Sequence, residues 1–198
     1  MKNTIVVNLF AGPGAGKSTG ATYIFSKLKM AGVDAEYVSE FAKDKVWEEN
    51  KLVFDNQFYM TGKQSFKIKR CIGKVDIIIT DSPILIGAMY CNDNPLLIPA
   101  IKYEFNKYHN INFFIRRAKK YNPNGRNQTE DEAKEIDKEV LDFLQKNNVS
   151  YTEIKGTLED YDKVVDFLLE EVFNRQLIDQ VLCLEDIAEE LKAFTKEK

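Results

Sequence analysis

The 198-residue chain has one histidine, one tryptophan and three cysteines. A lone histidine, His109, cannot build a histidine-rich metal centre, and any Ser-His-Asp arrangement would rest on it alone. It reads as structural. Cys71, Cys91 and Cys183 are odd in number and lack C-x-x-C spacing, which excludes a disulfide framework and a zinc site. No stretch approaches the roughly 18 apolar residues of a membrane span. The opening Met1-Lys-Asn-Thr-Ile-Val-Val lacks the apolar segment and cleavage site of a signal peptide. A cytoplasmic protein without a membrane partner is expected. The net charge of -3 lacks the basic excess of a nonspecific nucleic-acid binder. Internal repeats and low-complexity tracts are also missing.

What is present is an ordinary globular composition, 44% hydrophobic and 30% charged, in a chain long enough to bury one substantial core. Apolar runs alternate with amphipathic stretches, the pattern of an α/β fold whose parallel sheet is covered by helices. Strands are expected at Thr4 to Phe10, Ala35 to Ser39, Asp76 to Thr80, Ile111 to Ile115 and, more weakly, Ser150 to Ile154. Helical spacing covers Ser18 to Met30, stopped by Gly32, and continues with breaks from Val46 to Ile72. Thr129 and Glu132 have capping-box spacing, which opens a further helix. Asp160 to Phe173 is another. Residues 1–173 read as one domain and 174–198 as an amphipathic helical extension, with Leu177, Val181, Leu184, Ile187 and Leu191 on one side. That extension would pack on the domain or on a second subunit, giving a homo-oligomer.

The most informative segment is Leu9-Phe-Ala-Gly-Pro-Gly-Ala-Gly-Lys-Ser-Thr19. It fits the phosphate-binding pattern G-x-x-x-x-G-K-[ST] with Ala11 at the first position, and it lies between an apolar strand and a helix, where that mechanism needs it. Glycines at 12, 14 and 16, with Pro13 and Ala15, let backbone N–H groups converge on an anion without obstruction by side chains. The helix amino end adds a partial positive charge. Lys17 reaches the β- and γ-phosphates, Ser18 is a Mg²⁺ ligand, and Thr19 closes the set. ATP and Mg²⁺ are the implied cofactors.

Asp81 ends the run Ile77-Ile-Ile-Thr80 at the carboxyl end of a strand, facing the ligand crevice, and is the second metal-ligand candidate. Glu40 follows the second strand and is either a general base or a solvated neighbour of Lys43. Arg116-Arg-Ala-Lys-Lys-Tyr-Asn-Pro-Asn-Gly-Arg126 is a cation-rich loop at about 116–128, fit to close over a triphosphate, with Arg116 and Arg126 as charge-stabilising candidates. Gln57 and Gln64 lie two helical turns apart on one face and could read a base or ribose edge.

Together with Ser39-Glu-Phe41, Gln57 to Gln64, Thr80-Asp-Ser-Pro83 and Tyr121 to Glu130, the loop resembles the small P-loop kinases. It is most like the AAA-like ATPase/kinase domain typified by the ribosylnicotinamide kinase part of NadR, phage-encoded members included, over about residues 3 to 172. The resemblance implies a three-layer P-loop NTPase fold with a five-stranded parallel sheet in order 2-3-1-4-5. It further implies Glu40 or Asp81 activating a hydroxyl and Arg126 in a lid. Three functions are compatible: a kinase for a nucleoside, nucleotide or related ribosyl small molecule; a kinase for a modified base or end in DNA, which the net charge disfavours; and a P-loop ATPase or switch without an acceptor. Small-molecule transfer accounts for the most residues.

Overall fold

A computed structural model describes residues 2–91, 94–122 and 129–196, with backbone alone at 51, 179 and 181–196. Five strands form one parallel sheet: β1 (Ile5–Phe10), β2 (Ala35–Val38), β3 (Ile77–Thr80), β4 (His109–Arg116) and β5 (Thr152–Lys155), in the order β2-β3-β1-β4-β5. This is the expected order. β1 is buried along its whole length because it is the central strand with helices over both faces.

Side chains alternate across the sheet and supply two cores. Ile5, Val7 and Leu9 of β1, with Ile77 and Ile79 of β3, pack beneath α1 (Lys17–Met30) and α6 (Leu158–Lys196). Val6, Phe10, Ile78 and Phe114 face the other way, onto α3 (Gln57–Lys69), α4 (Leu97–Asn106) and α5 (Glu130–Lys146). The result is a three-layer sandwich with all strand carboxyl ends at one edge. α2 (Phe41–Trp47) lies at that edge.

The expected capping box is formed: Thr129 Oγ1 accepts from Glu132 N–H while the Glu132 carboxylate accepts from Thr129 N–H at 2.7 Å. Two features depart from the sequence reading. The segment between Asp81 and Ile111, to which that reading assigns no element, holds a 3-10 turn at Ile84–Tyr90 and then α4. Its Pro99 falls in the first turn of α4, where a missing N–H costs no helical hydrogen bond. In addition, α6 runs through residue 173, the expected boundary, without interruption. Tyr161, Val164, Leu168 and Val172 are buried on the domain, whereas Phe173, Leu177 and Ile178 are exposed. No helix among the described residues is long and apolar enough to cross a membrane.

Candidate active site

β1 ends at Phe10 and α1 begins at Lys17, so the glycine-rich loop spans the carboxyl edge of the central strand. Gly14 and Gly16 sit at φ 78° and 107°, in the left-handed region where a side chain would be strained. This turns the loop back on itself. Lys17 Nζ donates to the carbonyls of Ala11 at 2.7 Å and Gly12 at 2.9 Å, which fixes the ammonium across the loop mouth. Burial pushes the Lys17 pKa down, opposed by the negative charges of Glu40, Asp81 and Asp137. Behind the loop, buried Tyr161 donates its hydroxyl to Gly16 O at 3.3 Å. A Cβ on Gly20 would lie 2.6 Å from that ring, so Gly20 is required for α1 to approach α6. Neither contact has a signature in the sequence, because Tyr161 reads as one more apolar position on a helix face.

Asp81 is 2% exposed at the end of β3. Its Oδ2 accepts from the Tyr37 hydroxyl at 2.9 Å and its Oδ1 from Glu40 N–H at 3.0 Å. Both donors are neutral, which leaves a buried anionic oxygen pair whose remaining lone pairs suit a hard cation. The donor set therefore fits Mg²⁺, with Asp81 and Ser18 as the residues that would hold it. Among the described residues no cluster of three or more His, Cys, Asp or Glu could bind a metal unaided. Mg²⁺ characteristically takes few protein ligands and completes its shell with phosphate and water oxygens.

Glu40 opens α2, and its turn is held from three directions. Asp81 takes Glu40 N–H, Gln64 Oε1 takes Phe41 N–H at 3.0 Å, and Lys67 Nζ donates to Ser39 O at 2.7 Å. These bonds fix the backbone that carries the Glu40 carboxylate. Burial raises its pKa, partly offset by the positive charge of Lys17. A carboxylate made more basic in this way has the profile of a proton acceptor.

One cavity of about 580 Å³ runs from Gly14 and Lys17, past Glu40 and Asp81, to Gln57 and Gly87. Its far end is walled by Trp47, Phe54, Met60, Ile86 and Tyr90. The two glutamines differ in what they can offer it. Gln64 is buried and its carbonyl is engaged by Phe41 N–H. Gln57 Nε2 donates to Gly87 O and to Thr61 Oγ1, each at 3.1 Å. A carbonyl can only accept, so the amide nitrogen is fixed toward Gly87 and the Gln57 oxygen is turned elsewhere.

The expected cationic loop divides at its first two residues. Arg116 is the last residue of β4, and its guanidinium is held by Glu153 of β5 through two 2.8 Å hydrogen bonds, on an exposed flank. The structure thus engages Arg116 at β5. The adjacent residue, Arg117, faces the glycine-rich loop instead, since successive side chains at a strand end point in opposite directions. Its Nε donates to Asp137 Oδ2, and its Nη2 to Ala133 O at 2.8 Å. Asp137 Oδ1 in turn accepts from Gly12 N–H at 2.6 Å. Arg126 and the stretch 123–128 of the expected lid lie outside the described residues.

A family model described as AAA domain matches residues 6–160, most of the chain. The protein is a P-loop nucleoside-triphosphatase fold by its sheet order and loop, and it belongs to that AAA-domain family. Among solved structures, it is similar to a deoxyadenosine kinase from M. mycoides, determined with the products dCMP and a flexible dCDP bound, at 19% identity and a TM-score of 0.48. That match covers 85% of this chain and 98% of the other. No curated protein sequence matches.

Proposed function

We propose that the protein is an ATP-dependent phosphotransferase acting on a hydroxyl of a nucleoside or a similar uncharged ribosyl molecule. The observation that carries this is one continuous cavity with a triphosphate-type loop at one end, a basic carboxylate on a fixed turn at the middle and an aromatic-walled recess at the other. A switch or bare ATPase has no use for the third part. The recess offers apolar walls and one fixed amide, which suits a flat heterocycle. Apart from Lys17 in the loop, Lys43 is the cation among the described lining residues and is exposed, so a second phosphate on the acceptor has little to bind. This favours a nucleoside over a nucleotide or a DNA strand.

In this mechanism the loop amides and Lys17 hold the β- and γ-phosphates. Ser18 and Asp81 would hold Mg²⁺, which would supply positive charge against the negative charge that builds up on the phosphates. Gln57 presents its carbonyl oxygen to a donor on the heterocycle, and the ring walls set the distance of the sugar from Glu40. Glu40 accepts the proton of the attacking hydroxyl. The hydroxyl oxygen bonds to the γ-phosphorus as the bond from that phosphorus to the β-bridging oxygen breaks, leaving ADP and a phosphomonoester. Gln64 and Lys67 keep the Glu40 turn in place, so the base requires no reorganisation.

The test is Mg·ATP consumption measured across nucleosides, nicotinamide riboside, nucleoside monophosphates and hydroxymethyl-modified DNA. Transfer to at least one nucleoside, abolished in Glu40→Gln with ATP binding intact, is expected. ATP turnover that no acceptor stimulates would refute the reading.

A further inference from the structure

Tyr37 stands in β2, the edge strand of the sheet. It pairs in register with Ile79 of β3. Side chains two apart on a strand share a face, so Tyr37, Ile79 and Asp81 lie on one side of the sheet. That side packs beneath α1. Ser18 and Phe25 are seven positions apart on α1, two turns along one face of the helix. The Tyr37 ring packs against Phe25 with 6.5 Å between ring centroids, and its hydroxyl donates to Asp81 Oδ2 at 2.9 Å.

The phenol thus meets both residues of the metal-binding pair. The Ser18 hydroxyl lies close enough to favour the ionised phenol, but burial and the charge of Asp81 outweigh it and push the Tyr37 pKa up. Tyr37 therefore stays a proton donor, as its bond to Asp81 requires. Donors of this kind have a particular use. The Tyr37 hydroxyl on Oδ2 and the Glu40 amide on Oδ1 restrain the Asp81 carboxylate at both oxygens, and neither carries a positive charge. A lysine or arginine in the same place would orient Asp81 equally well and cancel the charge that a cation needs. Tyr37 does not line the cavity, so it acts only through the residues it touches.

The geometry points to Tyr37 as a positioning residue for the metal, whose hydroxyl holds the Asp81 carboxylate beside Ser18 so that both present oxygens to one cation. Outer hydrogen bonds of this type set the orientation of a ligating carboxylate, and their loss characteristically costs about 10- to 100-fold in metal affinity. The anchor on Phe25 ties the hydroxyl to the packing of β2 against α1, so the two ligands, one on each side, are held together before a metal arrives. This role rests on the assignment of the metal to Ser18 and Asp81 and is independent of the acceptor.

Equilibrium binding of ATP in Mg²⁺ and in EDTA, with no acceptor present, tests it. The ratio of the two affinities measures how strongly nucleotide and metal are coupled at the site. Tyr37→Phe keeps the ring on Phe25 and removes only the hydroxyl, so it should lower that ratio by about tenfold or more while the affinity in EDTA stays within about threefold. Asp81→Asn, which weakens a ligand directly, should lower the ratio at least as far. Phe25→Leu keeps the hydroxyl but loosens its anchor and should lower the ratio by a smaller factor, which provides a reading even if Tyr37→Phe fails to fold; melting curves check each variant. An unchanged ratio in folded Tyr37→Phe, or equal losses with and without metal, would overturn the proposal by making the phenol a packing residue. An unchanged ratio in Asp81→Asn would overturn it together with the metal assignment. Failure of every nucleoside to accept phosphate would instead defeat the proposed function and leave this binding result standing.

Discussion

The two ends of the cavity are built on different principles. At the phosphate end the ligand-facing groups are mostly backbone, shaped by glycine geometry, and the side chains that matter are adjacent in sequence: Lys17, Ser18 and Thr19. At the acceptor end the groups are side chains from α2, α3 and the 3-10 turn at Ile84–Tyr90, with Gln57 oriented by the carbonyl of a residue 30 positions away. Backbone recognition suits a ligand common to many proteins, whereas side-chain recognition can be changed one residue at a time. Under the proposed function, the first end serves a general phosphoryl donor and the second a particular acceptor.

That contrast can be broken most severely at Lys17. Lys17→Ala should lower turnover by about 10³-fold or more, since a charge fixed at the transferring group is removed, and calorimetric Mg·ATP binding should weaken with it. Glu40→Gln divides the two ends: transfer should fall by about 10³-fold while nucleotide affinity is retained. The same change should raise the melting temperature at neutral pH. Burial raises the Glu40 pKa, so the folded chain binds that proton more tightly than the unfolded chain, and stability declines as pH rises through the folded value. Glutamine removes that decline, which a pH series of melting curves would reveal.

Asp137→Ala should destabilise the fold by about 3 kcal/mol, because it strands a largely buried guanidinium and frees Gly12 N–H. Denaturant titration would measure it. Smaller still, Gln57→Leu should raise the acceptor KM by about tenfold with little effect on ATP affinity, the cost of one lost hydrogen bond to a bound ring. Steady-state kinetics with acceptor varied would show whether the acceptor end is indeed separable. Arg116→Ala should do least, under about 1 kcal/mol, since its partner Glu153 is on an exposed flank. A large loss of turnover in that variant would erase the distinction between the two neighbouring arginines.

Much of the fold was legible because its signals are local. The run Ile5–Phe10, the stop at Gly32 and the Thr129–Glu132 box each act within a few residues, and each is found where expected. Glu40 and Asp81 were legible as candidates because carboxylates after strands face the crevice of any parallel sheet. The difference between Arg116 and Arg117 was not, for it depends on which side of β4 meets Glu153 and which meets Asp137. The same holds for Gln57 and Gln64, alike on a helical wheel and unlike once Phe41 N–H and Gly87 O choose between their atoms.

The sequence alone determined that a polyphosphate-type loop joins the first strand to the first helix, because glycine spacing and one lysine act on backbone conformation over a handful of residues. Only the tertiary structure decided which arginine stands beside that loop, which glutamine carbonyl is left for a ligand, and what holds Gly12 in place. Those outcomes depend on contacts between segments more than a hundred positions apart in the case of Gly12 and Asp137, and no local pattern encodes the packing of α5 against β1.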